Sequence, residues 1–327
     1  MYGSGALGGS VLMRTKSADD LLQGEEGHAS VDAGYQSRNG SYKATVNAAR
    51  QFNEDLKGMI IFTHRDGDEL ETHGDGADIT GEGRGKADPM NYTSNNILSK
   101  LELQASEKHH FVFTGQYFEQ DSDGKSRSLE GSSSGFNKYS NYHFEEDTLS
   151  AEAVGIEHTW NAQYSAFDRL TWQANWQISE AKNTTKDTLT SAFPPFTSTD
   201  RTRQRNAKDT SLQLDVQLDK SFVLGNTNHD FIYGATLIDS EFKLETRDTD
   251  NKGKDTSGVV EMPPKTDVRK AGLFAQDQMY LMNDRLIVTT GLRYDMFQYR
   301  PTKDHRNING NLGGNTKISI QMQSQDN

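Results

Sequence analysis

The sequence predicts an all-β fold, an antiparallel transmembrane β-barrel, and three observations predict it. Apolar and polar residues alternate with a period of two. The alternating segments exceed the five or six residues usual for strands of soluble domains. The connections between them are short and long in turn, as in barrels whose turns are tight on one side of a membrane and extended on the other.

The elements follow from these signals in order. The first strand is read at residues 28 to 39. It turns at Asn39-Gly40, which supplies the positive φ of a tight hairpin, into a second at 41 to 53. Further strands are read at 57 to 66, 94 to 106, 108 to 120 and 148 to 161. The clearest alternation comes next. Leu170, Trp172, Ala174, Trp176 and Ile178 interleave with Thr171, Gln173, Asn175, Gln177 and Ser179. Leu212, Leu214, Val216 and Leu218 interleave in the same way with Gln213, Asp215, Gln217 and Asp219. Strands at 228 to 245 and 267 to 282 precede Leu286, Val288, Thr290, Leu292, Tyr294 and Met296, whose opposite face carries Arg285, Thr289, Arg293 and Asp295. Charges on that second face require water there. A twelfth strand is read at Thr316 to Gln323. Short connections lie near 53 to 56, 106 to 108, 161 to 167, 221 to 227 and 283 to 284. Long polar ones are expected at 66 to 93, 121 to 147, 181 to 206 and 246 to 266. Tyr35, Tyr117, Phe118, Trp160, Phe167, Tyr280, Phe297 and Tyr299 stand near strand ends, where interfacial aromatic girdles form.

Bulk properties exclude the main alternatives. In 327 residues only 33% are hydrophobic, and the mean hydropathy is -0.82, so a large apolar core clad in helices is hard to assemble. No run of eighteen apolar residues offers a membrane helix, but barrel strands need apolar residues only at alternate positions. A net charge of -12 argues against nucleic acid, which is bound through Lys and Arg clusters. The absence of cysteine removes disulfides, thiolate catalysis and cysteine-ligated zinc, and suits passage through an oxidising periplasm. Met1 to Ser10 has no charged region followed by an apolar stretch, so no signal peptide is read there.

Motifs for chemistry are sparse. Gly3-Ser4-Gly5-Ala6-Leu7-Gly8 has dinucleotide-binding spacing but lacks the preceding strand, and Gly81 to Lys86 lacks the phosphate-loop spacing. Asp66, Asp68, Glu69, Glu71, Asp75 and Asp78 form an acidic loop without the EF-hand pattern. Nine histidines show no zinc motif, and no Ser, His and Asp constellation can be nominated, so an enzyme is not expected and no catalytic or metal site is assigned. His73 and His143 stand inside long polar segments, the second near Tyr139 and Tyr142, where an axial ligand for haem iron could sit. The plainer reading of both is a solvated side chain.

Tyr2-Gly3-Ser4-Gly5-Ala6-Leu7-Gly8-Gly9-Ser10-Val11 resembles the end of the plug domain of TonB-dependent outer-membrane receptors. Gly272-Leu273-Phe274-Ala275-Gln276-Asp277, with Gly291-Leu292-Arg293-Tyr294-Asp295 after it, is similar to mid-barrel strands of the haem and haemoglobin receptor branch. The resemblance implies a plug end at residues 1–16, a linker at 17–27 and the first half of the barrel at 28–327, with a poor match after about 305. Such barrels have about twenty-two strands around a plug. The chain is therefore expected to form an incomplete, open sheet of about 11–12 strands, without signal peptide, TonB box, most of the plug and the later strands. The branch's Phe-Arg-Ala-Pro and Asn-Pro-Asn-Leu motifs do not occur, so no family haem ligand is carried over. What the resemblance implies is uptake of haem or haem-protein iron across the bacterial outer membrane. Haem is then the transported ligand and no cofactor is intrinsic. The expected partners are the TonB complex, reached through the N-terminal region, a haem or haemoglobin-type ligand, and outer-membrane lipid. A ferric-siderophore receptor and a surface adhesin or passive binding barrel are the alternatives. Two unpaired sheet edges imply that the piece alone is inactive.

Overall fold

A chain with one apolar and one polar face can span lipid only if every backbone group pairs with a neighbouring strand. The computed structural model describes residues 14–302, apart from 73–75, 135, 255–263 and 283–284, together with the backbone of 317–324. The expected plug end lies largely outside the described residues. After a short helix, α1 (Ala18–Leu22), come β1 (Gly27–Gln36), β2 (Ser41–Gln51), β3 (Leu56–Asp68), β4 (Met90–Ser106), β5 (His109–Lys125), the two-residue β6 (Ser133–Ser134), β7 (Asn137–Asn161), β8 (Arg169–Ser191), β9 (Ser198–Leu224), β10 (Thr227–Asp250), β11 (Thr266–Leu281), β12 (Leu286–Pro301) and β13 (Lys317–Ser324). They form one antiparallel sheet in sequence order, with β6 off the path and paired to β7. The sheet does not close, because the described β1 and β13 pair only with β2 and β12.

Register assigns the two faces. Ala174, Leu214, Leu237, Ala271 and Met296 stand side by side across β8 to β12. One residue along, Gln173, Asp215, Thr236, Gly272 and Asp295 make the opposite row. On the apolar side large residues lie open, among them Val31 at 73%, Leu273 at 60% and Val154 at 55% exposure. Among the described residues, the hydrophobic cluster contains only Ala18, Leu21, Leu22, Ala49 and Met59, with Ile61 and Leu98 against it. Among the described residues no second protein layer covers the apolar face, so lipid does.

Two expectations are corrected. Long loops predicted at 121–147 and 181–206 are largely strand, for β7, β8 and β9 run 25, 23 and 27 residues, whereas in 246–266 the strands take only 246–250 and 266. Above the membrane both faces meet water, so the apolar and polar alternation that betrays a strand disappears while Thr-rich pairing continues. Phe118, Tyr280, Phe297 and Tyr299 fall in the polar-face rows, by register, and belong to no outer girdle. Trp160 does stand at the tight-turn rim, packed with Tyr164 and Phe167 at 5.5 and 5.7 Å between ring centres. The segment expected as a linker, residues 17–27, includes the short helix α1.

The glycine motifs acquire a physical reason. Gly234 pairs with Phe274, which pairs with Arg293, and Gly272 pairs with Asp295. The Phe274 ring covers Gly234, Arg293 lies over that ring at 6.0 Å, and its guanidinium grips Asp295 at 2.8–3.0 Å. A Cβ on Gly234 would come within 2.1 Å of the Val216 carbonyl oxygen and 2.8 Å of Phe274. Gly234→Ala is expected to lower stability by roughly 1–3 kcal/mol through overpacking. A urea midpoint equal to that of the wild type would contradict this.

The turn at 162–168 is tied to β9 by Asp168, which accepts from Lys220 Nζ at 2.7 Å and from the Ser221 amide at 2.9 Å. The Lys220 hydrogen bond, then the Ser221 amide, holds its carboxyl below the ordinary value. A lowered folded pKa gives a contribution that is full above the unfolded value and lost as pH falls through the folded one. Protection of the Ser221 amide from exchange is therefore expected to hold from pH 7 to 5 and to drop below about pH 4. Loss of protection already at pH 6 would rule out this carboxylate as the cause.

Candidate functional site

The polar face carries two sites, one at each rim. At the tight-turn rim, Ser17 caps α1 in a reciprocal box with Asp20, its amide donating to Asp20 Oδ2 at 2.7 Å. Leu21 and Leu22 bury on Ala49 and Met59. The Ala18 amide donates to Glu102 Oε1 at 2.8 Å, Lys57 Nζ binds Asp19 at 2.6 Å, and Lys100 Nζ donates to the Thr15 carbonyl at 3.2 Å. Next to this segment is a polar cavity of about 510 Å³ lined from β4, β5, β7 and β8, including Lys100, Glu102, His110, Gln116, Glu157 and Gln173. Four neighbouring strands enclose it from one side, so the sheet curls with its polar face inward. Glu102→Ala removes the acceptor of a buried amide, at a cost of roughly 1–3 kcal/mol in local docking. Faster amide exchange over residues 17–22 is the expected readout, and unchanged exchange would refute the anchoring role.

At the other rim, the tall β7–β8–β9 ribbon presents a second cluster. His143, Asp187 and Arg201 stand abreast on β7, β8 and β9 on the polar-face row. Asp187 is fully buried. It accepts from Arg201 Nε and Nη2, both at 2.9 Å, and from Arg203 Nη2 at 2.7 Å. The Asp187 hydrogen bond makes Arg201 hold its proton still more firmly than usual. Arg205 continues the row and binds Asp248 with two guanidinium nitrogens.

The solvated imidazole expected at His143 is corrected: the residue lies within β7 and is 3% exposed. The Tyr139 ring meets it edge-on at 5.3 Å. Nε2 is 2.9 Å from Glu145 Oε1, while Nδ1 is buried without a hydrogen-bond partner. The network assigns the proton to Nε2, donating to Glu145, and leaves the lone pair on Nδ1. A carboxylate on the far nitrogen is the usual support of a metal-binding imidazole. Beside it, β7 slips in register against β8 between Tyr139 and His143. Irregular pairing of this kind often adjoins functional sites. His73 lies outside the described residues. Asp78 of the acidic loop pairs with Arg84 at 2.6 Å and Arg127 at 3.1 Å, and Arg84 is the first cause holding its carboxyl below the ordinary value.

Asp187, Arg201, Arg203, Arg205 and Asp248 were not singled out from the sequence. A signal existed: arginines at 201, 203 and 205 share one face of any extended segment. Reading 181–206 as loop concealed it.

Comparison with known proteins bears on the family and the fold. The TonB dependent receptor-like β-barrel family matches residues 95–316. A probable hemoglobin and hemoglobin-haptoglobin-binding protein 4 of Haemophilus influenzae is 35% identical over 124 residues, 37% of this chain and 12% of that protein. Hemoglobin-binding protein A of the same species is 33% identical over 126 residues, 38% of this chain and 12% of its own length. The matched segment thus spans about a tenth of those relatives. The crystal structure of BauA, the ferric preacinetobactin receptor of Acinetobacter baumannii, superposes with a TM-score of 0.57 at 13% identity, covering 90% of this chain and 44% of that one. The ferripyoverdine receptor of the outer membrane of Pseudomonas aeruginosa superposes at 0.52 with 11% identity, covering 90% and 38%. At such identities the two structures speak for the fold alone.

Proposed function

Because this chain belongs to the TonB-dependent receptor β-barrel family and lies in the bacterial outer membrane, we propose that it forms part of the wall of a receptor that takes up haem, or the haem of haemoglobin-type proteins, with energy delivered through TonB. The observation that carries haem over a siderophore is the identity of 33–35% to proteins whose names state haemoglobin binding. The ribbon supplies a chemical counterpart. His143 holds an imidazole backed by Glu145, and Arg201 and Arg203 stand two strands away on β9, on the same face, suited to carboxylates at the edge of a porphyrin. His73 is the second candidate donor. The polar rows of β8 to β12 face the wet lumen.

Growth of an iron-starved strain tests the reading, with a complete receptor that contains this chain as its sole candidate uptake route, since the piece alone is expected to be inactive. Growth on haem or haemoglobin, abolished by deleting TonB, is the expected result. Growth on a ferric siderophore alone would make it a siderophore receptor, and attachment without TonB-dependent growth would make it an adhesin. His143→Ala is expected to weaken haemin binding, read from the Soret band, by about tenfold or more.

A further inference from the structure

The tallest hairpins end in three phenylalanines that nothing among the described residues covers. Phe136, at the turn before β7, is 79% exposed, and Phe193 and Phe196, between β8 and β9, are 60% and 59% exposed. Phe136 and Phe193 face each other at 6.0 Å between ring centres. The two turns are joined by the Ala192 amide donating to the Phe136 carbonyl at 3.0 Å. The second turn is closed by Ser191 amide to Thr197 carbonyl at 3.0 Å and Phe196 amide to Phe193 carbonyl at 2.9 Å. Its position is therefore set before any partner arrives. Phe196 also sits at φ 51°, a left-handed backbone that disfavours a bulky side chain. Such strain gathers at ligand clamps, and here no burial offsets it.

Height and shape select the partner. The apolar row of β8 ends at Ile178, and the strand continues to Ser191. At ~3.3 Å per residue and a tilt of ~40°, the phenylalanines stand roughly 30 Å above the apolar belt, out of reach of lipid. The tip is convex, whereas small ligands are held in concavities. Together the rings expose on the order of 400 Å² of apolar surface, the size at which patches mark interaction sites. That is too little for a whole protein interface and right for its aromatic centre. We infer that Phe136, Phe193 and Phe196 form an anchor that docks a haem-carrying globular protein on the extracellular rim, above the His143 cluster. This rests on the haem-protein reading proposed above.

The test compares a complete receptor containing this chain, in outer membranes, with its F136S/F193S/F196S variant, measuring haemoglobin binding by biolayer interferometry and haemin binding by absorbance. Expected is a loss of haemoglobin affinity of about a hundredfold with haemin affinity within twofold, the latter also reporting an intact wall. Restoring one aromatic, as F193W with the other two replaced, is expected to recover part of that loss. Haemoglobin affinity within twofold of wild type overturns the anchor, and so does a change confined to self-association. Wild-type binding of haemin without haemoglobin overturns the anchor and spares haem uptake. Binding of neither overturns both.

Discussion

Leu214→Arg is expected to leave the protein largely unfolded or uninserted under conditions where Gln213→Arg, one residue away, inserts and folds normally. Leu214 stands in the outer apolar row between Ala174 and Leu237. A guanidinium in the lipid mid-plane costs about 2–4 kcal/mol, a factor of roughly thirty to a thousand in the folded population. Gln213 points the other way, its amide 2.7 Å from Asp215 Oδ2 on the polar face, where an arginine keeps that partner and meets water. Its effect is expected to stay within about 0.5 kcal/mol. Urea unfolding in lipid vesicles measures both. Equal losses would mean that the two faces are not oil and water, and the barrel assignment would fall.

The second large effect is expected at Asp187. It is fully buried and neutralises Arg201 and Arg203 with three charge-assisted bonds. Breaking a buried pair by removing one partner costs about 3–5 kcal/mol, because the other charge is left uncompensated. The two arginine side chains are 25% and 28% exposed, so water relieves part of that. Asp187→Ala is therefore expected to cost roughly 2–4 kcal/mol, confined to the ribbon above the membrane. Hydrogen exchange should accelerate over 184–191 and 199–205 while 170–178 and 210–218 stay protected. Exchange unchanged in the ribbon would show that the cluster does not hold it. Asp187→Ala should also weaken haemin binding, since the arginines lose the group that orients them.

The parts of the fold that were legible in the sequence share one condition: their two faces meet different media. In Leu170–Ser179, Leu212–Asp219 and Leu286–Met296, lipid on one side and water on the other impose a two-residue rhythm, and each is a strand with the expected face outward. The rhythm fails over 181–206, where Thr184, Thr188 and Thr199 alternate with nothing apolar, yet β8 and β9 continue there. Strand pairing persists in water on both sides, but it no longer constrains hydropathy. The candidate site lies in that silent region, which is why His143 was legible only as a polar-segment histidine and Asp187 not at all.

Composition and periodicity thus determined the class, the order of strands and the facing of their membrane-level residues, because hydrophobic transfer acts on each residue locally. Register across the sheet was decided by tertiary structure. It alone sets Asp187 between His143 and Arg201, lays Phe274 over Gly234, and brings Phe136 against Phe193. Those contacts join residues on separate strands or turns, and a local pattern in one strand carries no information about which residue of the next will stand beside it.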